Sequence, residues 1–306
     1  MTLLATPTRN PRQLLVSSRT GCEAEPTVIR VSSLAGYTDC PRRGAARLFW
    51  REIKTAGFDL RYVPRAIGAL VGTAVHHGIA YVLGEKAKTG KLPFRTVAIE
   101  ASREALADGV DGVEVQYDAP AGATHTMADA VTQTIRMTGV YMDNVAPSLN
   151  PVLIEERLEA EVEQGLVLTG HPDLVAREPG SVRDLKTGTR MPASFAPQLG
   201  GYSLLARSHG HKIERASIDF VKRVNPTKPQ PPPVANEAVI AHAEAAASSI
   251  LRQMAFDLDT FRHGDEARRI RPGDPWSFSA NPSSMLCSAK WCSAWGTEFC
   301  HEGKKG

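Results

Sequence analysis

The sequence predicts an α/β fold in which a mixed central β-sheet is flanked by helices. Three patterns carry that expectation: two apolar runs around a turn at residues 178–181, a helical pattern after them, and a further strand pattern at residues 213–224. Two antiparallel strands, a helix and another strand place the sheet at about residues 152–224.

Along the chain, residues 1–28 carry scattered Pro, Thr, Ser and Arg with little periodicity, which predicts a loose tail before a single domain at residues 29–306. Apolar residues recur at helical spacing over residues 33–54, 66–88, 97–107 and 127–145. Residues 166–176 and 182–186 read as strands joined by the turn formers Glu178, Pro179, Gly180 and Ser181. The next helix should start between Ala193 and Pro197 and stop at His209 and Gly210, where a glycine suits the C-cap. Residues 225–233, NPTKPQPPP, form a stiff connector. Residues 236–261 are Ala-rich with Val239, Ile250, Leu251, Met254 and Leu258 apolar, and predict one long helix. From Pro272 onward, Pro, Ser, Trp and Cys predict irregular chain. No internal repeat is visible.

A chain of 306 residues with 42% apolar content can bury a full core. Its formal net charge of +3 is too small to argue for nucleic acid, so any such surface must come from local clustering. Arg42, Arg43, Arg47 and Arg51 recur at roughly helical spacing, and Lys222 with Arg223 ends a strand pattern. Those stripes could follow a phosphate backbone, with Phe49 or Trp50 stacking a base. The alternative is a solvated face with Leu48, Phe49 and Trp50 in the core. No apolar run approaches the ~20 residues of a membrane span. Without a secretory signal or a dense cysteine framework, the chain reads as cytoplasmic, with thiols rather than disulfides and Cys22 a bystander.

The chemistry concentrates around Gly170-His-Pro-Asp173 and Asp184-Leu185-Lys186. Side chains alternate along a strand, so Asp184 and Lys186 share one face while Leu185 points into the core. Asp173 falls on the neighbouring strand, close enough to share a divalent cation with Asp184. Mg2+ or Mn2+ takes oxygen ligands, and one or two carboxylates are a usual protein share. A bound ion can activate water and a lysine ammonium can neutralise a phosphorane, the chemistry of phosphodiester cleavage. A solvated Asp-Lys pair on an exposed hairpin is the plainer alternative. Gln198 and Tyr202 lie on one helical face four residues apart and can bond a phosphate or the lysine. Next to such a site a neutral imidazole becomes a plausible ligand, His76 rather than His77.

With Gly72-Thr-Ala-Val-His76 before them, Asp173, Asp184-Leu185-Lys186 and Gln198-Leu-Gly-Gly-Tyr202 resemble the RecB-like branch of the PD-(D/E)XK nuclease superfamily. The resemblance implies a restriction-endonuclease-like core and a metal set of His76, Asp173, Asp184 and Leu185. It makes Lys186 catalytic, with Asp173 and Asp184, and gives Gln198 and Tyr202 the positioning of phosphate and lysine. Glu156 falls where relatives often carry an acidic strand residue, with Glu155 and Glu159 as competitors. Ser32, Leu34, Tyr37 and Cys40-Pro-Arg42 look like the opening of the iron-sulfur nucleases in this branch, including CRISPR-associated exonucleases. Cys40 with Cys287, Cys292 and Cys300 would then ligate a 4Fe-4S cluster. The closing spacing is C-x4-C-x7-C where the family usually has C-x2-C-x5-C, so a structural Zn2+ with Cys or His301 ligands stands beside it. The function implied is a metal-dependent DNA exonuclease on single-stranded or free ends, in a prokaryotic or phage context. A non-hydrolytic DNA-binding or recombination module and an endonuclease are the alternatives.

Overall fold

The computed structural model of the chain describes residues 26–119, 122–163, 165–177 and 179–301. Residues 1–25, including Cys22, and Glu178 of the expected turn lie outside the described residues. Strand β1 (Thr27–Arg30) starts inside the stretch expected to be a tail and leads straight into α1 (Val31–Asp39). The single helix expected over residues 33–54 is three helices, the others being α2 (Pro41–Leu48) and α3 (Trp50–Thr55). Pro41 disfavours helical backbone at Cys40, which is extended (φ −154°, ψ 101°) and ends α1.

A short strand β2 (Arg65–Ala66) precedes the long helix α4 (Ile67–Thr89); α5 (Arg95–Val110), β3 (Val115–Gln116) and α6 (Met127–Asn144) follow. Helix α4 is long and apolar enough to cross a membrane by length and composition, against the sequence expectation, but more than half of its most apolar window is buried inside the protein. Then come β4 (Pro151–Leu153), β5 (Leu158–Glu163), β6 (Leu166–Gly170), β7 (Leu174–Ala176), β8 (Ser181–Gly188), α7 (Ala196–Ser208), β9 (Arg215–Lys222), β10 (Val234–Ala238) and α8 (Ile240–His263).

The strand expected over residues 166–176 breaks in two. Its halves belong to different sheets: β6 sits in the order β1-β6-β5, whereas β7 sits in β10-β9-β8-β7-β4. Pro172 has no N–H to give to a ladder, which suits it to the crossing. The five-stranded sheet is mixed, because β8 pairs with β9 in parallel and with β7 antiparallel. The long helix expected from residue 236 yields its first residues to β10, whose backbone groups pair along the edge of β9.

Helices cover both faces of this sheet. On one side Val182 and Ile218 pack with α1, α7, α8 and the C-terminal segment through residues such as Leu34, Leu205, Leu258 and Phe278. On the other, Leu174, Leu185 and Val221 pack with α4, α5 and α6. Arg42 leaves the stripe: it is buried and its Nε donates to the Phe278 carbonyl at 3.0 Å. Phe49 joins the core and Leu48 packs against it, as the alternative of a solvated arginine face has it, whereas Trp50 is exposed.

Candidate active site

Strand alternation sets the site. Leu185 turns toward α4, α5 and α6, while Asp184 and Lys186 turn toward α7. Asp184 is 1% exposed. Its Oδ1 accepts from Gln198 Nε2 at 3.0 Å, and Lys186 Nζ lies 2.7 Å from its Oδ2. Lys186 Nζ also donates to Gln198 Oε1 at 2.9 Å, and Gln198 Nε2 reaches the Tyr202 hydroxyl at 3.3 Å. Gln198 and Tyr202, one turn apart on α7, thus fix the carboxylate and ammonium together. Both are buried, so these bonds have little competition from water.

Asp173 stands at the bend where the chain enters β7. Its Oδ2 accepts the Leu185 N–H at 2.6 Å and lies 3.3 Å from His76 Nδ1 on α4. His76 Nδ1 is also 3.8 Å from Glu155 Oε1. One donor atom each from His76, Glu155 and Asp173 falls within a 4.8 Å group, the single such group among the described residues. Asp184 is outside that tight set, although its charge acts on His76 and the Asp173 charge acts on it. Leu185 contributes a backbone N–H to Asp173 and a buried apolar side chain, so only its carbonyl could face an ion.

Glu155 corrects the preference for Glu156. Its backbone takes the left-handed conformation (φ 50°), uncommon for a residue with a Cβ. Its N–H donates to the Pro172 carbonyl at 3.1 Å, and its carbonyl lies 3.2 Å from His171 Nδ1. A carbonyl can only accept, so His171 must carry its proton on Nδ1. The strained turn after β4 aims Glu155 at His76. No spacing rule reveals such a turn, so the sequence could do no more than count Glu155 among the competitors of Glu156.

The electrostatics show groups held in check by one another. Burial pulls His76 down, but Asp173 and Glu155 more than reverse this and carry it to about 10. Burial, and then the Asp173 charge, push Asp184 up to about 7 against the pull of Lys186. Asp173 is opposed by burial yet held below the usual carboxylate range by His76, Lys186 and the Leu185 N–H. Asp184 Oδ2 is buried and has the Lys186 ammonium 2.7 Å away. A buried carboxylate there, beside the oxygen- and nitrogen-donor group of His76, Glu155 and Asp173, fits a hard divalent cation.

Helix α4 approaches β8 at Gly72, one turn before His76. A Cβ there would meet Thr187 Oγ1 at 2.5 Å. The missing side chain lets the imidazole reach Asp173.

The four cysteines expected to act together also converge. Cys40, Cys287, Cys292 and Cys300 line one small cavity with Arg43, Ser284 and Trp295. Cys40, Cys292 and Cys300 are buried. Burial raises the Cys292 thiol, and the nearby Cys300 and Cys40 add to the effect. Hydrogen bonds draw the two chain segments together: Arg43 donates to Ser284 Oγ, Ser284 Oγ to Asp39, and Asn281 to the Asp39 carbonyl. His301 is exposed and outside the cavity lining.

An arrangement of this kind, on a mixed sheet with helices on both faces, defines a nuclease fold. The PD-(D/E)XK nuclease superfamily profile matches residues 29–296, and the chain belongs to that superfamily. It is a nuclease, of a superfamily that typically uses divalent metals such as Mg2+ or Mn2+. A solved protein of Eubacterium rectale named "Putative exonuclease" is similar in fold, with a TM-score of 0.51, 12% identity, and coverage of 84% of this chain and 86% of that one. The solved protein SSO0001 aligns with a TM-score of 0.32 and 13% identity over 75% of this chain and 77% of that one. No curated protein sequence matches the chain.

Proposed function

We propose that the chain is a metal-dependent DNA exonuclease of the RecB-like type that acts on single-stranded ends. The convergence of His76, Glu155 and Asp173 beside the Asp184, Lys186 and Gln198 cluster carries this reading. His76, Asp173 and Asp184, with Glu155 added and Leu185 through its carbonyl, would hold one Mg2+ or Mn2+. When bound, the ion supplies Lewis acidity and a water acidified toward neutral pH. Lys186 offsets the negative charge that grows on the attacked phosphate, while Gln198 and Tyr202 hold its ammonium in place. The similarity in fold to a protein named as an exonuclease supports the exonucleolytic part. End-labelled linear, closed circular and single-stranded DNA with Mn2+ tests it. Loss of single strands from their ends with circles intact is expected; nicking of closed circles would make the enzyme an endonuclease, and binding without cleavage an accessory module.

Proton release offers a second check. Ligation needs a neutral imidazole and an ionised carboxylate, so ion binding at pH 7 must expel the His76 proton and part of one from Asp184. Affinity should rise with pH across about 7 to 10, and calorimetry in buffers of different ionisation enthalpy should count about one to two protons. A count of zero would contradict the site. The sign for stability follows. The raised His76 stabilises the metal-free protein fully below its free value of 6.5, and that contribution is lost as pH rises through about 10.

Gly72→Ala should separate position from stability. Crowding against Thr187 costs about 1–3 kcal/mol, offset by about 1 kcal/mol of better helix propensity. Melting should therefore change little while Mn2+ affinity falls about tenfold. Thr187→Ala in the same chain removes the clashing oxygen and should restore the affinity; unchanged affinity in the single variant would contradict the close approach.

The four cysteines are proposed to hold a 4Fe-4S cluster. Their shared lining of one cavity, with three of the four sulfur-bearing residues buried, supports this reading.

A further inference from the structure

On the side of the sheet where α4 presents His76, the proline-rich connector and α6 enclose an open cavity of about 380 Å³. Arg95, Arg136 and Lys228 line it against one carboxylate, Asp143. Three cations and one anion leave an excess of two positive charges, against +3 for the entire chain. The connector is a fixed wall. Arg136 Nη1 donates to the carbonyls of Pro226 (2.6 Å) and Lys228 (3.1 Å), and Asn225 Oδ1 accepts from Thr227 N–H at 3.0 Å. Both Arg136 bonds use the same nitrogen. Arg95 lies flat on α6 because Gly139 has no side chain: a Cβ there would sit 2.1 Å from the guanidinium. Its ion pair with Asp143 is long, at 3.4 Å, and both partners are half exposed. Beside Arg95, Phe94 is 85% exposed, a large apolar ring with no structural reason to face water.

We propose that this cavity binds a backbone phosphate of the single strand whose end lies in the active site, with Phe94 stacking a base. A cationic groove plus an exposed ring is the combination by which proteins hold single strands without reading sequence. The reach is suitable. Lys186 pairs with Phe220 on the neighbouring strand, and the cavity begins six residues later at Pro226, so chain length plus one strand spacing limits the separation to about 25 Å, within the span of a short single strand. The inference rests on the nuclease reading of the His76 and Asp184 site, and it gives the connector a role beyond linking.

The test uses the full chain carrying Lys186→Ala, so that DNA is not consumed, and fluorescent oligothymidines. One is a dinucleotide and one is longer than ~16 nucleotides. Arg95→Glu with Lys228→Glu should weaken the long strand about tenfold or more, leave the dinucleotide unchanged, and flatten the salt dependence by about 0.7 per lost phosphate contact. Phe94→Ala, which keeps every charge, should weaken the long strand about tenfold with the salt slope unchanged. Equal affinity of all variants for the long strand, or equal weakening of both lengths, would overturn the proposal. Cleavage by the protein with Lys186 restored distinguishes the two failures. Normal cleavage with unaffected binding sinks the cavity alone, whereas length-dependent binding without any cleavage supports the cavity and sinks the active-site reading.

Discussion

Lys186→Ala should reduce DNA hydrolysis by about 10²–10³-fold while the protein stays folded. Among the described residues the ammonium is the one cation that touches both Asp184 and Gln198, at 2.7 and 2.9 Å. Its removal takes away the charge placed to meet the developing phosphorane. The fold should tolerate the loss because the side chain is about a quarter exposed and Asp184 can take up a proton, its carboxyl already being raised to about 7. The Gln198 bond to Asp184 also remains. Initial rates on end-labelled single strands with Mn2+, alongside circular dichroism, check the prediction. Rates equal to the parent would remove Lys186 from the chemistry.

Cys292→Ser should loosen the segment that follows α8. Beyond α8 the described residues form only short turns, a 3-10 helix at Pro275–Ser277 and two isolated bridges. Yet this segment inserts Phe278 and Phe299, both fully buried, among Phe49, Phe58 and Phe261. A cluster tied to Cys40 at one end and Cys287, Cys292 and Cys300 at the other would hold that insertion in place. Metal binding to such irregular segments is folding free energy, about 10–16 kcal/mol apparent for structural zinc in small domains. A fall in melting temperature of more than ~10 °C is expected, together with loss of broad visible absorption from a brown, anaerobically isolated parent. A colourless parent with one equivalent of zinc would replace the cluster by zinc. A metal-free parent that melts like the variant would remove the staple altogether.

Period-two alternation was enough to place Asp184, Lys186 and Leu185 on their faces, and the four-residue spacing was enough to bring Gln198 and Tyr202 together on α7. Helix α4 and its His76 were readable from apolar spacing despite Gly68, Gly72, Gly78 and Gly84. What sequence could not supply was set by tertiary contacts. The Pro172 break sends β6 and β7 to separate sheets, and the left-handed turn brings in Glu155 instead of Glu156. Residues 234–238 are polar and Ala-rich, with weak strand preference, and become β10 only because β9 presents an edge to them. Arg42 looked like one member of a phosphate-tracking stripe, but its partner is a carbonyl 236 residues away.

Crystals grown with Mn2+ and measured at its absorption edge test the central claim most directly. The account predicts one anomalous peak within ~2.0–2.6 Å of a His76 ring nitrogen and of Asp173 and Asp184 carboxylate oxygens, with Glu155 facing it and Lys186 alongside. A fully loaded protein whose peak lies away from His76 and Asp173, or that shows none between them, would contradict it.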